Sequence, residues 1–318
     1  MDLAAFNFDP SSLTDLMHTA HIDIDDDLSL CVEVGGDPKN PPLLLIMGLG
    51  SQMVFWPDSF VKGLIDAGFF VIRFDNRDIG LSSKIARPFP RFAINNLKMM
   101  LRMQVGLTNR HYPVAYNLFD MVEDTRRLID KMGLENVYVV GASMGGMIAQ
   151  ILAAKYPKKI KKLGLLFTSN NKPLLPPTKP KQLQTLLSHP KTTQMEDVVA
   201  YGVWVMQRIG SPNHVDEEEV ERLVRLRFER SYHPRGSLQQ LQAILATGSI
   251  AKYDKKITQP TVVIHGEKDG LLPAAHGRAV AKAIPNAEFH LIQGMGHDLA
   301  KAFQPQIIKI LVDHYHAH

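Results

Sequence analysis

One serine in the sequence lies in a pattern that is typical of a catalytic nucleophile. Gly141, Ser143 and Gly145 form a G-x-S-x-G motif. The motif follows a run of β-forming residues at 137–140 and opens a stretch with helical periodicity. A serine on such a sharp strand-to-helix turn presents its hydroxyl beyond the end of the strand, and the glycines leave room for the strained backbone. The motif therefore predicts acyl transfer with Ser143 as the nucleophile.

A serine hydroxyl becomes a good nucleophile only when a base takes its proton, and His297 is the candidate base. It follows a predicted strand at 289–293 through two glycines and precedes a predicted helix, so its imidazole can reach over the end of the sheet. His265 and His276 are the competing histidines. The first lies at the end of a predicted strand and the second on a predicted helix, so structural roles are favoured for both.

The acid expected to orient His297 is Asp269, which lies in the loop after a predicted strand. A carboxylate at this point can accept the Nδ1–H of the imidazole and stabilise the imidazolium. Glu267 in the same loop is the alternative, whereas residues 168–171, after the preceding strand, contain no carboxylate. Asp298 adjoins the histidine, and we interpret it as a helix N-cap rather than as the acid.

The oxyanion of an acyl-transfer intermediate needs two N–H donors. The backbone amide of Met144, the residue after the nucleophile, is the first candidate. The second candidate is the backbone amide of Leu49, because the turn Gly48-Leu49-Gly50 after an early predicted strand brings the backbone close. These two amides are therefore predicted to form an oxyanion hole.

The segments that carry these residues belong to an alternation of short apolar runs and amphipathic helices. This alternation is typical of a mostly parallel sheet with helices on both faces, and it predicts an α/β fold. The predicted strands are 43–47, 69–74, 137–140, 163–167, 261–265 and 289–293, and the predicted helices are 60–67, 116–132, 144–156 and 299–314.

The alternation is interrupted between residues 171 and 249. A proline-rich entry is followed there by helical patterns without strands, which predicts a helical cap inserted between two core strands. The predicted core then comprises residues 1–170 and 250–318. A second, smaller excursion at 84–113 contains three methionines, at 99, 100 and 103. They either line a pocket or fill gaps in the core, and core packing is favoured.

Composition excludes several classes of protein. Of the 318 residues, 45% are hydrophobic and 21% charged, which is an ordinary globular mixture, and a net charge of +4 is too mild to predict a nucleic-acid partner. The one cysteine, Cys31, lies in a predicted half-buried strand and is expected to be inert. No leader-like or membrane-spanning stretch is visible, which predicts a cytoplasmic protein with no membrane partner. The sequence contains no H-E-x-x-H motif or similar set of metal ligands, so no metal is predicted.

Five motifs follow one another along the chain: Met47-Gly48-Leu49-Gly50, Phe74-Asp75-Asn76-Arg77-Asp78-x-Gly80-x-Ser82, Val140-Gly141-Ala142-Ser143-Met144-Gly145-Gly146-Met147, His265-Gly266-x-x-Asp269 and Gly294-x-Gly296-His297. In their order and spacing the sequence resembles the α/β-hydrolase superfamily, and within it the capped bacterial esterases and methylesterases, including the aclacinomycin methylesterase type. The resemblance covers the core, roughly residues 24–170 and 250–312.

The resemblance implies an eight-stranded, mostly parallel sheet, a cap over the active site and hydrolysis of an ester without a cofactor. Two positions depart from the family pattern. Met47 replaces a histidine that is common before the oxyanion glycine, and Asp78 replaces a common glycine.

The sequence thus predicts a carboxylesterase-type serine hydrolase that acts on a small-molecule ester. Cleavage of amides, thioesters or C–C bonds and perhydrolysis are alternatives that use the same triad, because a fold does not fix the substrate. A non-catalytic small-molecule receptor that kept the pocket is a further alternative. A dinucleotide-binding interpretation of Gly48-Leu49-Gly50 with Asp75 is disfavoured, because Met53 stands where the third glycine of that fingerprint belongs.

Overall fold

The computed structural model of the protein describes residues 6–86 and 95–317. Within these ranges, nine strands form one sheet in the order β1-β2-β3-β5-β4-β6-β7-β8-β9. The strands are β1 (Asp9–Pro10), β2 (His18–Asp25), β3 (Leu28–Gly35), β4 (Pro42–Ile46), β5 (Phe70–Phe74), β6 (Val137–Ala142), β7 (Ile160–Leu166), β8 (Thr261–Gly266) and β9 (Glu288–Ile292).

The six strands from β5 to β9 along the sheet are parallel, and β1, β2 and β3 are added to them in antiparallel pairings. The predicted α/β fold with a mostly parallel sheet is confirmed. The sheet has nine strands where the resemblance implied eight. The additional strand is the two-residue edge strand β1, which is too short to show an alternating pattern in the sequence.

Helices cover both faces of the sheet. They are α1 (Asp58–Asp66), α2 (Asn96–Gln104), α3 (Leu118–Lys131), α4 (Met144–Lys155), α5 (Pro180–Leu187), α6 (Met195–Ile209), α7 (Glu217–Arg230), α8 (Pro234–Thr247), α9 (Ala251–Asp254), α10 (Ala275–Ala283) and α11 (Gln304–His316). Helices α1 and α11 pack on one face, and α3, α4 and α10 contribute to the buried cluster on the other. None of the helices in the described ranges is both long and apolar enough to cross a bilayer.

The last helix begins later than its apolar pattern predicts. The pattern predicts a start at residue 299, but the helix begins at Gln304, because Pro305 occupies its first turn. Proline fits the first turn of a helix, where its missing N–H would have no partner, but it disrupts a helix interior. Residues 299–303 therefore connect the loop of His297 to the helix, and residues 301–303 form a turn.

Residues 171–249 contain α5, α6, α7 and α8 and no strand. In the excursion predicted at 84–113, α2 buries Met99 completely and Met100 and Met103 partly, against side chains of α8. Residues 87–94 of that excursion lie outside the described residues.

A buried ion pair joins the end of α7 to the end of β5. Arg230 Nη1 lies 2.5 Å from Asp75 Oδ2, and the two side chains are 6% and 0% exposed. The second carboxylate oxygen of Asp75 accepts the N–H of Met53 at 2.9 Å. Gln52 accepts a further hydrogen bond from Arg230, at 2.9 Å. The helical segment, residues 171–249, is therefore bound to the core by an ion pair that is almost inaccessible to water.

Breaking this pair is expected to destabilise the fold. Arg230→Met should lower the free energy of unfolding by about 3–5 kcal/mol, because it leaves the Asp75 carboxylate buried without its counter-charge. Arg222→Met on the same helix is the matched control. Its pair with Glu219 is exposed, so its loss should change stability by less than about 1 kcal/mol. Urea unfolding of both variants measures the difference. Equal stability of the two would contradict the assigned role of Arg230.

Candidate active site

Ser143 occupies a strained turn between β6 and α4. Its backbone has φ 53° and ψ −115°, a conformation that side-chain-bearing residues rarely adopt. The neighbouring glycines are sterically required. A Cβ at Gly141 would lie 2.4 Å from the carbonyl oxygen of Gly145, and one at Gly145 would lie 2.0 Å from that of Ile46. The chain thus makes, at the carboxyl end of β6, the tight turn that the G-x-S-x-G spacing predicts.

The structure brings the hydroxyl, imidazole and carboxylate of the predicted set together from three distant parts of the chain. His297 Nε2 lies 3.0 Å from Ser143 Oγ, and His297 Nδ1 lies 2.7 Å from Asp269 Oδ2. A carboxylate only accepts, so Nδ1 carries the proton and Nε2 is free to accept the serine O–H. This arrangement can transfer the serine proton to the imidazole.

Asp269 is fully buried and accepts several hydrogen bonds. Its Oδ1 accepts the N–H of Leu271 at 2.9 Å and of Leu272 at 2.8 Å. Burial raises the pKa of Asp269, but the charge of His297 and hydrogen bonds from His265 and His297 outweigh it and hold the pKa well below its usual range. Asp269 is therefore a carboxylate at neutral pH and can stabilise a positive charge on His297.

The competing residues have other partners. His265 Nε2 lies 2.7 Å from the carbonyl oxygen of Leu272 and 3.3 Å from Asp269 Oδ2, so its imidazole stabilises the loop that carries Asp269. His276 lies between the hydroxyl of Ser169 and a backbone carbonyl. The carboxylate of Glu267 accepts the N–H of Gly294 at 3.2 Å and is paired with the neighbouring lysine.

The two predicted oxyanion donors lie beside the serine. A Cβ built on Gly48 would be 3.2 Å from Ser143 Cβ, so the loop after β4 touches the nucleophile. Within the described residues, the N–H groups of Leu49 and Met144 donate no hydrogen bond to the protein. Both N–H groups are therefore without a protein acceptor among the described residues.

Gln240 of α8, which no motif in the sequence indicates, fixes residues 48–50 after β4, the predicted oxyanion loop. Its side-chain oxygen accepts the N–H of Gly50 at 2.8 Å, and its amide donates to the carbonyl of Arg77 at 3.0 Å. The residue is completely buried. It is one of three glutamines in α8, and nothing in the sequence distinguishes it from the others or indicates its partner 190 positions away.

The interpretation of Asp298 as a helix N-cap is wrong, because the helix begins six residues later at Gln304. Its carboxylate instead accepts two hydrogen bonds from Ser211, which follows α6. Ser211 N–H lies 2.9 Å from Oδ2, and Ser211 Oγ lies 2.5 Å from Oδ1. The same hydroxyl accepts the N–H of Gly296 at 2.8 Å, and the N–H of His297 donates to the carbonyl of Ile209 at 2.7 Å. Residues 296–298 are thus bound to residues 209–211.

The other singled-out positions have structural roles. Asp78 adopts φ 70°, in the left-handed region where the family pattern has glycine, and its Oδ1 accepts the N–H of Ile85 at 2.6 Å. Cys31 is buried, and burial raises the pKa of its thiol to about 11. Asp75, the acid of the dinucleotide interpretation, is fully engaged with Arg230 and backbone amides.

In the described ranges, no three His, Cys, Asp or Glu side chains form a group that could hold a metal ion.

Comparison with known proteins gives one family. A sequence profile of the family described as alpha/beta hydrolase fold matches residues 41–300. The rhodomycin D methylesterase of Streptomyces peucetius is 27% identical over 92% of this chain and 96% of its own. The poly(3-hydroxyalkanoate) depolymerase of Ectopseudomonas oleovorans is 31% identical over 87% of this chain and 86% of its own.

Solved structures share the fold. The 2-hydroxy-6-oxo-6-phenylhexa-2,4-dienoate hydrolase of Rhodococcus sp. strain RHA1 matches with a TM-score of 0.71 at 17% identity, over 95% of this chain and 99% of that one. The enol-lactonase of Burkholderia xenovorans LB400 matches with a TM-score of 0.69 at 19% identity, over 93% and 99%. At these identities the similarity concerns the fold alone.

Proposed function

The chain belongs to the α/β-hydrolase fold family, and from that premise we propose that it is a serine hydrolase that cleaves carboxylic esters. The observation that carries the proposal is the unbroken hydrogen-bond relay from Ser143 Oγ to His297 Nε2 and from Nδ1 to Asp269, at 3.0 and 2.7 Å. A buried, ionised acid behind the imidazole is what a serine needs to become a nucleophile at neutral pH.

The first half-reaction forms an acyl-enzyme. His297 takes the proton of Ser143 as the serine oxygen attacks the ester carbonyl. The oxyanion of the tetrahedral intermediate accepts hydrogen bonds from the N–H groups of Leu49 and Met144. The imidazolium, stabilised by Asp269, then gives its proton to the leaving alcohol oxygen as the carbon–oxygen bond breaks.

The second half-reaction returns the free enzyme. Water enters the position that the alcohol has left, gives a proton to His297 and attacks the acyl carbon. Collapse of the second tetrahedral intermediate releases the acid, and the imidazolium returns the proton to Ser143. Apart from the substrate and water, only side chains and backbone amides take part in this proposed sequence.

Residues 171–249 are proposed to act as a cap over this site. Two contacts support this role: residues 209–211 bind the loop of His297, and Gln240 binds the oxyanion loop. The half-buried Met100 and Met103 pack in the same apolar cluster as Leu49. We propose that these apolar side chains line the substrate site beside Leu49, which would favour hydrophobic acyl or alcohol groups.

Ester rather than another acyl derivative is proposed because two similar proteins are, by name, a methylesterase and a poly(3-hydroxyalkanoate) depolymerase. The test is labelling with a serine-directed fluorophosphonate, followed by mass mapping of the adduct. We expect the adduct on Ser143 and turnover of p-nitrophenyl esters. Matched amide and thioester analogues of one acyl group should react more slowly than the ester. Tight ligand binding with no adduct and no turnover would instead identify a receptor and refute the proposal.

Ser211 is predicted to be a positioning residue for His297. Ser211→Ala removes the hydroxyl that donates to Asp298 and accepts from Gly296, so the histidine loop loses two of its anchors. We expect kcat to fall by about 10- to 100-fold, since small displacements of a catalytic group have effects of this size. KM should change by no more than about threefold, because the substrate does not touch Ser211 in the proposed mechanism.

Ser82→Ala is the matched control. Ser82 is equally buried, donates to the carbonyl of Asp75 and accepts the N–H of Cys31, but contacts no part of the histidine loop. It should lose stability without the fall in kcat. Steady-state kinetics of both variants, at a temperature where both are folded, separates the two roles. An equal fall in kcat for both would show that the effect of Ser211 is not specific.

A further inference from the structure

Helix α2 exposes a leucine stripe to solvent. Leu97 and Leu101 lie one turn apart on the same face and are 45% and 61% exposed. Met99 points to the opposite side and is completely buried against α8. The helix is therefore apolar on both faces, although only one of them has a partner among the described residues.

The stripe continues into a larger surface. Three further side chains, Val105, Leu107 and Leu174, are 58%, 52% and 80% exposed. Leu174 belongs to a distant part of the chain and is brought to the end of α2 by the hydrogen bond from its N–H to the carbonyl of Gln104, at 2.9 Å. These residues define the leucine patch: Leu97, Leu101, Val105, Leu107 and Leu174. Since single exposed leucines are ordinary but such a cluster is not, the patch indicates an interaction surface.

The charged residues in the segments that form the leucine patch are of one sign. Lys98, Arg110 and Lys172 are exposed beside it. The sequence has no Asp or Glu from residue 79 to 119 or from 136 to 195, the two stretches that meet at the patch. The surface thus combines exposed leucines with cations and lacks any carboxylate from its own segments.

We propose that the leucine patch docks the protein on the surface of an anionic lipid bilayer. Exposed leucines can enter the boundary between headgroups and acyl chains, while lysine and arginine remain at the level of the phosphates. A second copy of this chain fits the patch less well, because it would place like charges opposite each other. The absence of a membrane partner was predicted from the lack of spanning segments, whereas this surface forms only when α2 and Leu174 meet in the fold.

Helix α2 connects the leucine patch to the proposed active site, because its other face packs beside Leu49. Met100 and Met103 of α2 belong to the same apolar cluster as Leu49, whose amide is a proposed oxyanion donor. Docking through α2 would therefore place the bilayer on the outer side of that cluster. This link to hydrophobic ester substrates rests on the proposed function, but the docking itself does not.

Vesicle sedimentation tests the docking without any turnover. We expect the full chain to bind vesicles of phosphatidylcholine with roughly one third phosphatidylglycerol, and to bind pure phosphatidylcholine much less. Leu101→Glu should weaken binding to the anionic vesicles at least about tenfold, because it removes a leucine that enters the bilayer and adds a charge that the anionic headgroups repel. Lys98→Gln and Lys172→Gln should each weaken it about fivefold and reduce its salt dependence.

Leu187→Glu is the matched control, because Leu187 on α5 is 46% exposed but lies outside the patch. It should bind the anionic vesicles like the parent protein, and thermal unfolding of each variant checks that it is folded. The proposal is overturned if the parent protein does not bind these vesicles or if Leu101→Glu and Leu187→Glu bind alike. It is also overturned if sedimentation velocity shows self-association that Leu101→Glu abolishes, since the patch would then join two copies. Because binding is read without catalysis, none of these outcomes depends on the ester-hydrolysis proposal.

Discussion

Replacing Ser143 with alanine is expected to lower kcat/KM for a p-nitrophenyl ester by about 10⁵- to 10⁶-fold, because it removes the only atom that attacks the substrate in the proposed mechanism. The residual activity should come from substrate binding and the oxyanion donors alone. Stability should be unchanged, because alanine keeps the Cβ and with it the strain of φ 53° at this position.

A second substitution at the same position separates loss of chemistry from loss of folding. Ser143→Gly should be equally inactive but more stable than the parent by about 1 kcal/mol or more, since glycine adopts positive φ without strain. Ester turnover and urea unfolding of the two variants provide the measurements. Substantial turnover by Ser143→Ala would refute the assignment of the nucleophile.

The second large effect is expected for Asp269→Asn, with a fall in kcat of about 10⁴-fold. The asparagine amide would donate to Nδ1 of His297, which forces the ring proton onto Nε2. Nε2 could then no longer accept the proton of Ser143. The hydrogen bonds from Leu271 and Leu272 can be kept by the remaining side-chain oxygen, so we expect the loop to stay in place.

Glu267→Gln is the matched control, because Glu267 was the alternative acid in the same loop. Its carboxylate binds Gly294 and Lys268 and not the imidazole, so kcat should stay within about threefold of the parent. Steady-state kinetics of both variants at neutral pH decides between the two residues. A large loss in Glu267→Gln with near-normal Asp269→Asn would show that the acid was assigned wrongly.

Local sequence patterns determined the fold class and indicated the residues of the proposed active site. The parallel strands are continuous apolar runs because both faces of the sheet are covered, and this pattern is visible without any tertiary contact. The G-x-S-x-G turn is equally local, since Gly141 and Gly145 are needed by atoms within a few residues or by the adjacent strand. His297 and Asp269 follow strand ends, and the ends of parallel strands meet at one edge of the sheet.

Residues whose roles depend on distant partners could not be predicted in this way. Asp298 was assigned to a helix that begins later, and its partner Ser211 lies 87 positions away. Gln240 binds the oxyanion loop across 190 positions, and Arg230 reaches Asp75 across 155. No periodicity encodes such pairs, because hydrogen bonds and ion pairs depend on where two side chains lie in space.

The leucine patch illustrates the same limit from the surface. Along the sequence, the apolar residues of α2 are those of an ordinary buried helix, and burial of Met99 agrees with that. Only the tertiary structure decides which face of the helix is covered by α8, and it leaves Leu97 and Leu101 in solvent. The sequence by itself determined the six parallel strands, the G-x-S-x-G turn and the order of the polar residues. The packing of the helical segment against the core decided what holds those residues in place and which apolar side chains remain exposed, because both depend on contacts between segments that are far apart in the chain.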